Sequence, residues 1–287
     1  METKSNVSLS SSRVAEVLRR LQDNSQNVDS VRTSFGVLSI LSREESNKLV
    51  IANEGLRLIL RVMDIHQARG DIQEVGCDLI WALVFNSIEI KEMITEAGGV
   101  QLLCTSLRRH VSNPDFLKSV CGALSNLCQH KGAQSLASMN GTLSTIISSI
   151  QIHQANSHLL PFIFDAIAAL IVSNDQNAFS FAQTGIPIVI SALDRNLNDG
   201  AVAKSGMHLL AIMSDTKTLG AKVAMSGGIR ILIPLLNTHR NHPDLARVCA
   251  VVILRMLQET SHTSRELIHN DAIKVKKSFF FVVEIIL

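Results

Sequence analysis

A chain of 287 residues that is 46% hydrophobic and 18% charged has ample material for a large core and is too apolar for a disordered protein. Its net charge of +2 is far from the basic balance of a protein that lives on nucleic acid. Five cysteines (Cys77, Cys104, Cys121, Cys128 and Cys249) sit in apolar runs without any C-x-x-C pair, and they read as reduced thiols of a cytoplasmic or nuclear protein.

Residues 1–12 are polar and Ser-rich, and they read as a flexible lead. They lack the apolar segment of a signal peptide, and no apolar run in the chain has the length of a membrane span. Val14, Val17, Leu18 and Leu21 have the spacing of an amphipathic helix, and Val28, Val31, Phe35 and Leu38 have that of a second. Together they form a partial first repeat over 13–42, suited to capping an array. Glycines then recur at 55, 98, 141, 185 and 227, a period of 42 to 44 residues, which is the length of a helical solenoid repeat. Each of Gly55, Gly98, Gly141, Gly185 and Gly227 is predicted to turn a short incoming helix into a second one. A polar loop and a long third helix follow. The five full repeats are 43–86, 87–129, 130–173, 174–215 and 216–259. Pro114-Asp115 and Pro243-Asp244 open two of the long helices, where Pro suits the first helical position and a carboxylate faces the positive end of the dipole. A partial sixth repeat over 260–273 gives way to an atypical apolar tail, 274–287, that contains Phe279, Phe280 and Phe281. The tail is expected to stand outside the array, and the array to continue in a longer product.

Three helices per repeat, the phrase Ile94-Thr95-Glu96-Ala97-Gly98-Gly99-Val100-Gln101-Leu102-Leu103, its near-copy Met225-Ser226-Gly227-Gly228-Ile229, and the ending Ala123-Leu124-Ser125-Asn126-Leu127 resemble the armadillo repeat. The resemblance covers residues 13–273. It implies an all-α fold, a right-handed superhelix of the armadillo type. It also implies a partner bound along a concave groove lined by the third helices. Aligning those helices on Leu83, Leu124, Leu170, Leu210 and Leu254 tests one such groove, the nuclear-import type with a Trp and an Asn four residues apart. The Trp position reads Trp81, Gly122, Ala168, His208, Val252, and the Asn position Phe85, Asn126, Val172, Ile212, Met256. No repeat carries both residues, so a nuclear-import groove is not expected.

The candidate groove residues are Trp81, Phe85, Lys118, Asn126, Lys204, His208 and Arg247. Trp81, the only tryptophan, is either an aromatic anchor or a packing residue between repeats. Asn126 either binds a peptide amide or bonds locally to its own helix. Lys118, Lys204 and Arg247, early in three third helices, either receive an acidic peptide or are ordinary solvated charges. Asp78 and Asp165 interrupt apolar helices and need partners. The histidine pairs His153/His158 and His239/His242 lack the further converging ligands that zinc needs and read as loop residues. No phosphate loop, G-x-S-x-G or H-E-x-x-H pattern is present.

The expected function is therefore a non-catalytic protein-interaction scaffold. The alternative is a regulatory or docking segment of a longer protein, one that carries a kinase-like domain. An enzyme, a cofactor, a metal site and a small-molecule substrate are not expected. The partner expected is a protein or peptide, an acidic segment with an apolar anchor; nucleic acid and membrane are not.

Overall fold

The computed structural model describes residues 2–215, 217–239 and 241–259, and its contacts divide the chain into two compact units, residues 1–145 and 146–287. The first unit contains α1 (Glu2–Asp23), α2 (Val28–Leu41), α3 (Glu45–Ile65), α4 (Gly70–Val84), α5 (Ile88–Glu96), α6 (Gly99–His110), α7 (Pro114–Leu127) and α8 (Lys131–Met139). The division falls inside α9 (Thr142–His153). The second unit contains α10 (Leu160–Ile171), α11 (Asp175–Arg195), α12 (Gly200–Met213), α13 (Lys217–Met225), α14 (Gly228–Thr238) and α15 (Pro243–Glu259). Every regular element among the described residues is helical, as the period predicts.

Polar side chains start the helices. Asn27 accepts from the Ser30 N–H, Asn113 from those of Asp115 and Phe116, and Asp199 from those of Ala201 and Val202. Apolar faces then stack the third helices in rows, α2 on α4 on α7 in the first unit and α10 on α12 on α15 in the second. The alignment leucines Leu83, Leu124, Leu170 and Leu210 are all fully buried, so the register read from the sequence is that of the fold. Phe35, Phe116, Phe164 and Phe181 are the largest fully buried side chains, each worth roughly 1.5–3 kcal/mol in apolar burial.

Two of the five predicted glycine turns are not turns. Gly98, Gly141 and Gly227 have φ of 82°, 69° and 95°, as a left-handed turn requires. Gly55 and Gly185 lie inside the unbroken 21-residue helices α3 and α11, so the incoming and second helices of those repeats are fused. These two glycines serve close packing instead. A Cβ at Gly55 would fall 2.5 Å from Leu18 Cδ2 of α1, and one at Gly185 would collide with the Phe181 ring one turn earlier on α11. The Gly98-Gly99 and Gly227-Gly228 pairs divide the two jobs. A Cβ on Gly98 or Gly227 would meet open space, so only the backbone angle demands glycine there. At Gly99 and Gly228 it would collide with Ile94 and Val223, so the side chain is excluded by packing.

The N-terminal lead also differs from expectation, because α1 already begins at Glu2. Residues 2–12 contain no Gly or Pro, and extending a helix already nucleated by the docked Val14–Leu21 stretch costs little. The predicted sixth repeat and the apolar tail lie outside the described residues.

Candidate partner-binding face

In the first unit an open cleft of about 710 Å³ lies among the end of α2, the start of α3 (Glu45, Lys48) and α4. Trp81, Ala82 and Phe85 form its apolar side, and Ser39, Arg43 and Asp78 are among its polar lining. The indole of Trp81 is half-buried and lies against the backbone of α7 at Gly122, where a Cβ would fall 2.6 Å from Trp81 Cδ2. Trp81 is thus both a packing residue between neighbouring third helices and a wall of the cleft. Gly122, its counterpart in the next repeat, makes the seat.

Phe85 follows one turn later and is 52% exposed. It ends α4 in an extended conformation, with Asn86 left-handed at φ 56°. Lys48 of α3 fixes this end: its Nζ donates to the Phe85 carbonyl at 3.0 Å, pairs with Glu45 at 2.8 Å and lies 5.8 Å from the Phe85 ring centroid. A cation there also suits the negative end of the helix dipole. Asn126 takes the local reading, its Nδ2 donating to the Gly122 carbonyl at 3.1 Å. Lys118 is exposed on α7 and is not among the cleft-lining residues.

The carboxylates of this face were under-weighted in the sequence. Asp71, Glu74 and Asp78 on α4 and Asp115 on α7 stand against one cation on those two helices, Lys118. Asp71 is neutralised by Arg69, at 2.8 Å, and by Arg32. The Arg69 hydrogen bond, with Arg32 helping, holds its carboxyl at about 2. Glu74, Asp78 and Asp115 form no ion pair among the described residues. Partial dehydration and the nearby Asp115, Asp78 and Asp71 charges push the Glu74 carboxyl above its usual range.

In the second unit Lys204 and His208 are exposed on α12, facing Asp165 of α10. Asp165 is hydrogen-bonded by Ser205, and dehydration still holds its carboxyl above the usual range. Lys204 therefore already has a counter-charge. Arg247 is exposed on α15. The seven candidates accordingly fall into two groups, one per unit. The five cysteines are all free and buried; dehydration pushes Cys249 up to about 12 and Cys77, Cys104, Cys121 and Cys128 upward too, as for inert core thiols. Among the described residues no three His, Cys, Asp or Glu side chains converge as metal ligands, and no single helix is long and apolar enough to cross a membrane.

Residues 112–279 match the family described as the GAC ARM domain, more than half of the chain, and residues 87–129 match the armadillo/beta-catenin-like repeat. The chain belongs to the GAC ARM domain family. Similar solved structures include crystal structures of engineered proteins from the Northeast Structural Genomics Consortium. One is 15% identical with a TM-score of 0.73 over 86% of this chain and 97% of its own, and another is 16% identical with a TM-score of 0.74 over 90% and 61%. At that identity they show the fold, an all-α armadillo-type solenoid. No curated protein sequence matches.

This GAC ARM chain carries a further regularity that the sequence reading missed. The side chain at the end of the second helix reaches back to a loop carbonyl of the preceding repeat. His66 Nε2 donates to Ser25 O at 2.8 Å and His110 Nε2 to Gln67 O at 2.7 Å; in the second unit Asn196 Nδ2 donates to Gln154 O at 3.0 Å and His239 Nε2 to Leu197 O at 2.8 Å. Each bond spans 41 to 43 residues. A carbonyl can only accept, so each of these imidazoles carries its proton on Nε2. His239, read as a loop residue, is one of these staples. The signal available was its spacing of one repeat from Asn196.

Proposed function

We propose that this chain is a non-catalytic scaffold that binds a partner protein on its third-helix face, with Trp81 and Phe85 holding an apolar anchor of the partner. The observation that carries the reading is the cleft beside them. A ring that is 52% exposed at Phe85 and a half-buried indole border an open volume of about 710 Å³. Buried aromatic anchors in such pockets dominate protein interfaces. Armadillo scaffolds are generally non-enzymatic, which supports the non-catalytic part.

The expected acidic character of the partner rests on Lys118, Lys204 and Arg247. Lys204 faces Asp165, and Asp115 precedes Lys118 by one turn of α7, so the apolar anchor is the part of that expectation the cleft supports. The test uses the full chain as bait, wild type beside Phe85→Ala, with bound proteins quantified by mass spectrometry. Phe85 is exposed, so its truncation should shift the thermal midpoint little. One or more partners should fall at least about tenfold, an anchor's share of binding. Equal capture by both baits, at equal thermal midpoints, would remove this cleft from the binding face.

A further inference from the structure

We propose that Asn140-Gly141 is a deamidation site, held inert by the folded turn between α8 and α9 and by Arg108 of the preceding repeat, and reactive when that turn opens. The inference is independent of where a partner binds.

Asn140-Gly141 is the only Asn-Gly pair in the chain. Gly141 brings no side chain to shield its backbone nitrogen, so that nitrogen can close on the Asn140 side-chain amide. At the equivalent position before the glycine the other repeats carry Glu54, Ala97, Thr184 and Ser226, none of them an amide. In the reaction the Gly141 nitrogen loses its proton to water and attacks Asn140 Cγ. The bond from Cγ to Nδ2 breaks, and ammonia leaves with a proton from solvent. Water then opens the cyclic imide at one carbonyl or the other. The product is an aspartate, or an isoaspartate whose backbone runs through the former side chain. Water is the one co-reactant, and Met139 beside the pair is 83% exposed, so solvent reaches the turn.

In the fold each reacting part is tied down. Asn140 has ψ of 7°, which turns the Gly141 nitrogen away from Cβ and Cγ. The Gly141 N–H donates to the Ser138 carbonyl at 3.1 Å, and Asn140 Nδ2 donates to the Leu136 carbonyl at 2.8 Å. Arg108 Nη1 of α6 donates to the Asn140 carbonyl at 2.9 Å, while its other terminal nitrogen bonds Thr105 of its own helix at 3.2 Å. The peptide plane that must rotate for ring closure is thus pinned from the neighbouring repeat. Nucleophile, leaving group and rotating plane each give up a hydrogen bond before reaction, so the rate follows the fraction of time the turn is open. Either product adds a negative charge. Isoaspartate also adds a carbon to the backbone, at a turn whose glycine stands at φ 69°.

The test incubates the full chain at mildly alkaline pH, native and in concentrated urea, and follows every asparagine by peptide mapping with mass spectrometry. In urea Asn140 should deamidate ahead of all other asparagines, and in the native chain it should react at least about tenfold more slowly than in urea. Arg108 is exposed, so Arg108→Ala should leave the thermal midpoint near that of the wild type. It should speed the native reaction at Asn140 at least about threefold and leave the urea rate unchanged. Equal native and urea rates, or an earlier loss at another asparagine in urea, overturns the proposal. So does a native rate that is unchanged or slower in Arg108→Ala. If Arg108→Ala speeds all asparagines alike, the effect is general loosening and the clamp on Asn140 falls.

Discussion

Trp81 and Gly122 act as one object. They hold the same position in consecutive repeats, and the missing side chain of one accommodates the large side chain of the other. A methyl group at Gly122 has nowhere to go, because the indole is flanked by helix backbone there. Gly122→Ala should therefore destabilise the chain by about 1–3 kcal/mol, the usual cost of overpacking, and shift Trp81 emission to longer wavelength as the ring is pushed outward. Urea unfolding followed by fluorescence reads both. A variant with unchanged midpoint and emission would mean that the indole has slack. Asn126, two turns into the same helix face from Lys118, ties its amide to the Gly122 carbonyl and so stiffens the seat rather than reaching out.

At the scale of elements, glycine has two uses in this chain, and they fail in different ways when tested. Gly98 is needed for its φ of 82° and meets no neighbour, so Gly98→Ala should cost about 1 kcal/mol or more through backbone strain alone. Gly98→Asn should cost less, since Asn tolerates the left-handed region. Thermal unfolding of the two variants separates strain from packing; equal losses would show that the turn has relaxed to another conformation. Both uses of glycine look alike in a sequence. The spacing of 42 to 44 residues located all five positions, and the alignment leucines fixed the register of the third helices. Neither could tell that α3 and α11 run straight through Gly55 and Gly185, where the glycines make room for Leu18 and Phe181 instead of turning the chain. The candidate face was legible in part. Trp81 and Phe85 stood out as paired aromatics one turn apart, whereas the pairing of Asp71 with Arg69 and Arg32, which leaves Glu74 and Asp78 as the other acids of α4, depends on side-chain geometry. The histidine staples were hidden for the same reason, since each partner is a carbonyl 41 to 43 residues away.

For the molecule as a whole, four carboxylates set opposing acid responses. The Arg69 hydrogen bond lowers Asp71 to about 2, and the Val202 backbone N–H lowers Asp199. A carboxyl lowered in the folded state contributes stability above its unfolded value of about 4 and loses it as pH falls through the folded value. Glu74 and Asp165 are raised by dehydration, so they bind protons more readily when folded, and stability grows as pH falls toward their unfolded values. The thermal midpoint should rise slightly from about pH 7 to about pH 5 and then fall below about pH 4. Glu74→Gln should flatten the rise, and Asp199→Asn should lessen the fall. A midpoint that declines steadily from neutrality in the wild type would contradict the raised pair.

The staples run in one direction. Each donor belongs to the later repeat and each acceptor to the loop of the earlier one, from His66 to Ser25 and from His239 to Leu197. In each of the four the donor is made after the acceptor, so during synthesis the carbonyls of Ser25, Gln67, Gln154 and Leu197 wait for 41 to 43 further residues before their side-chain donor exists.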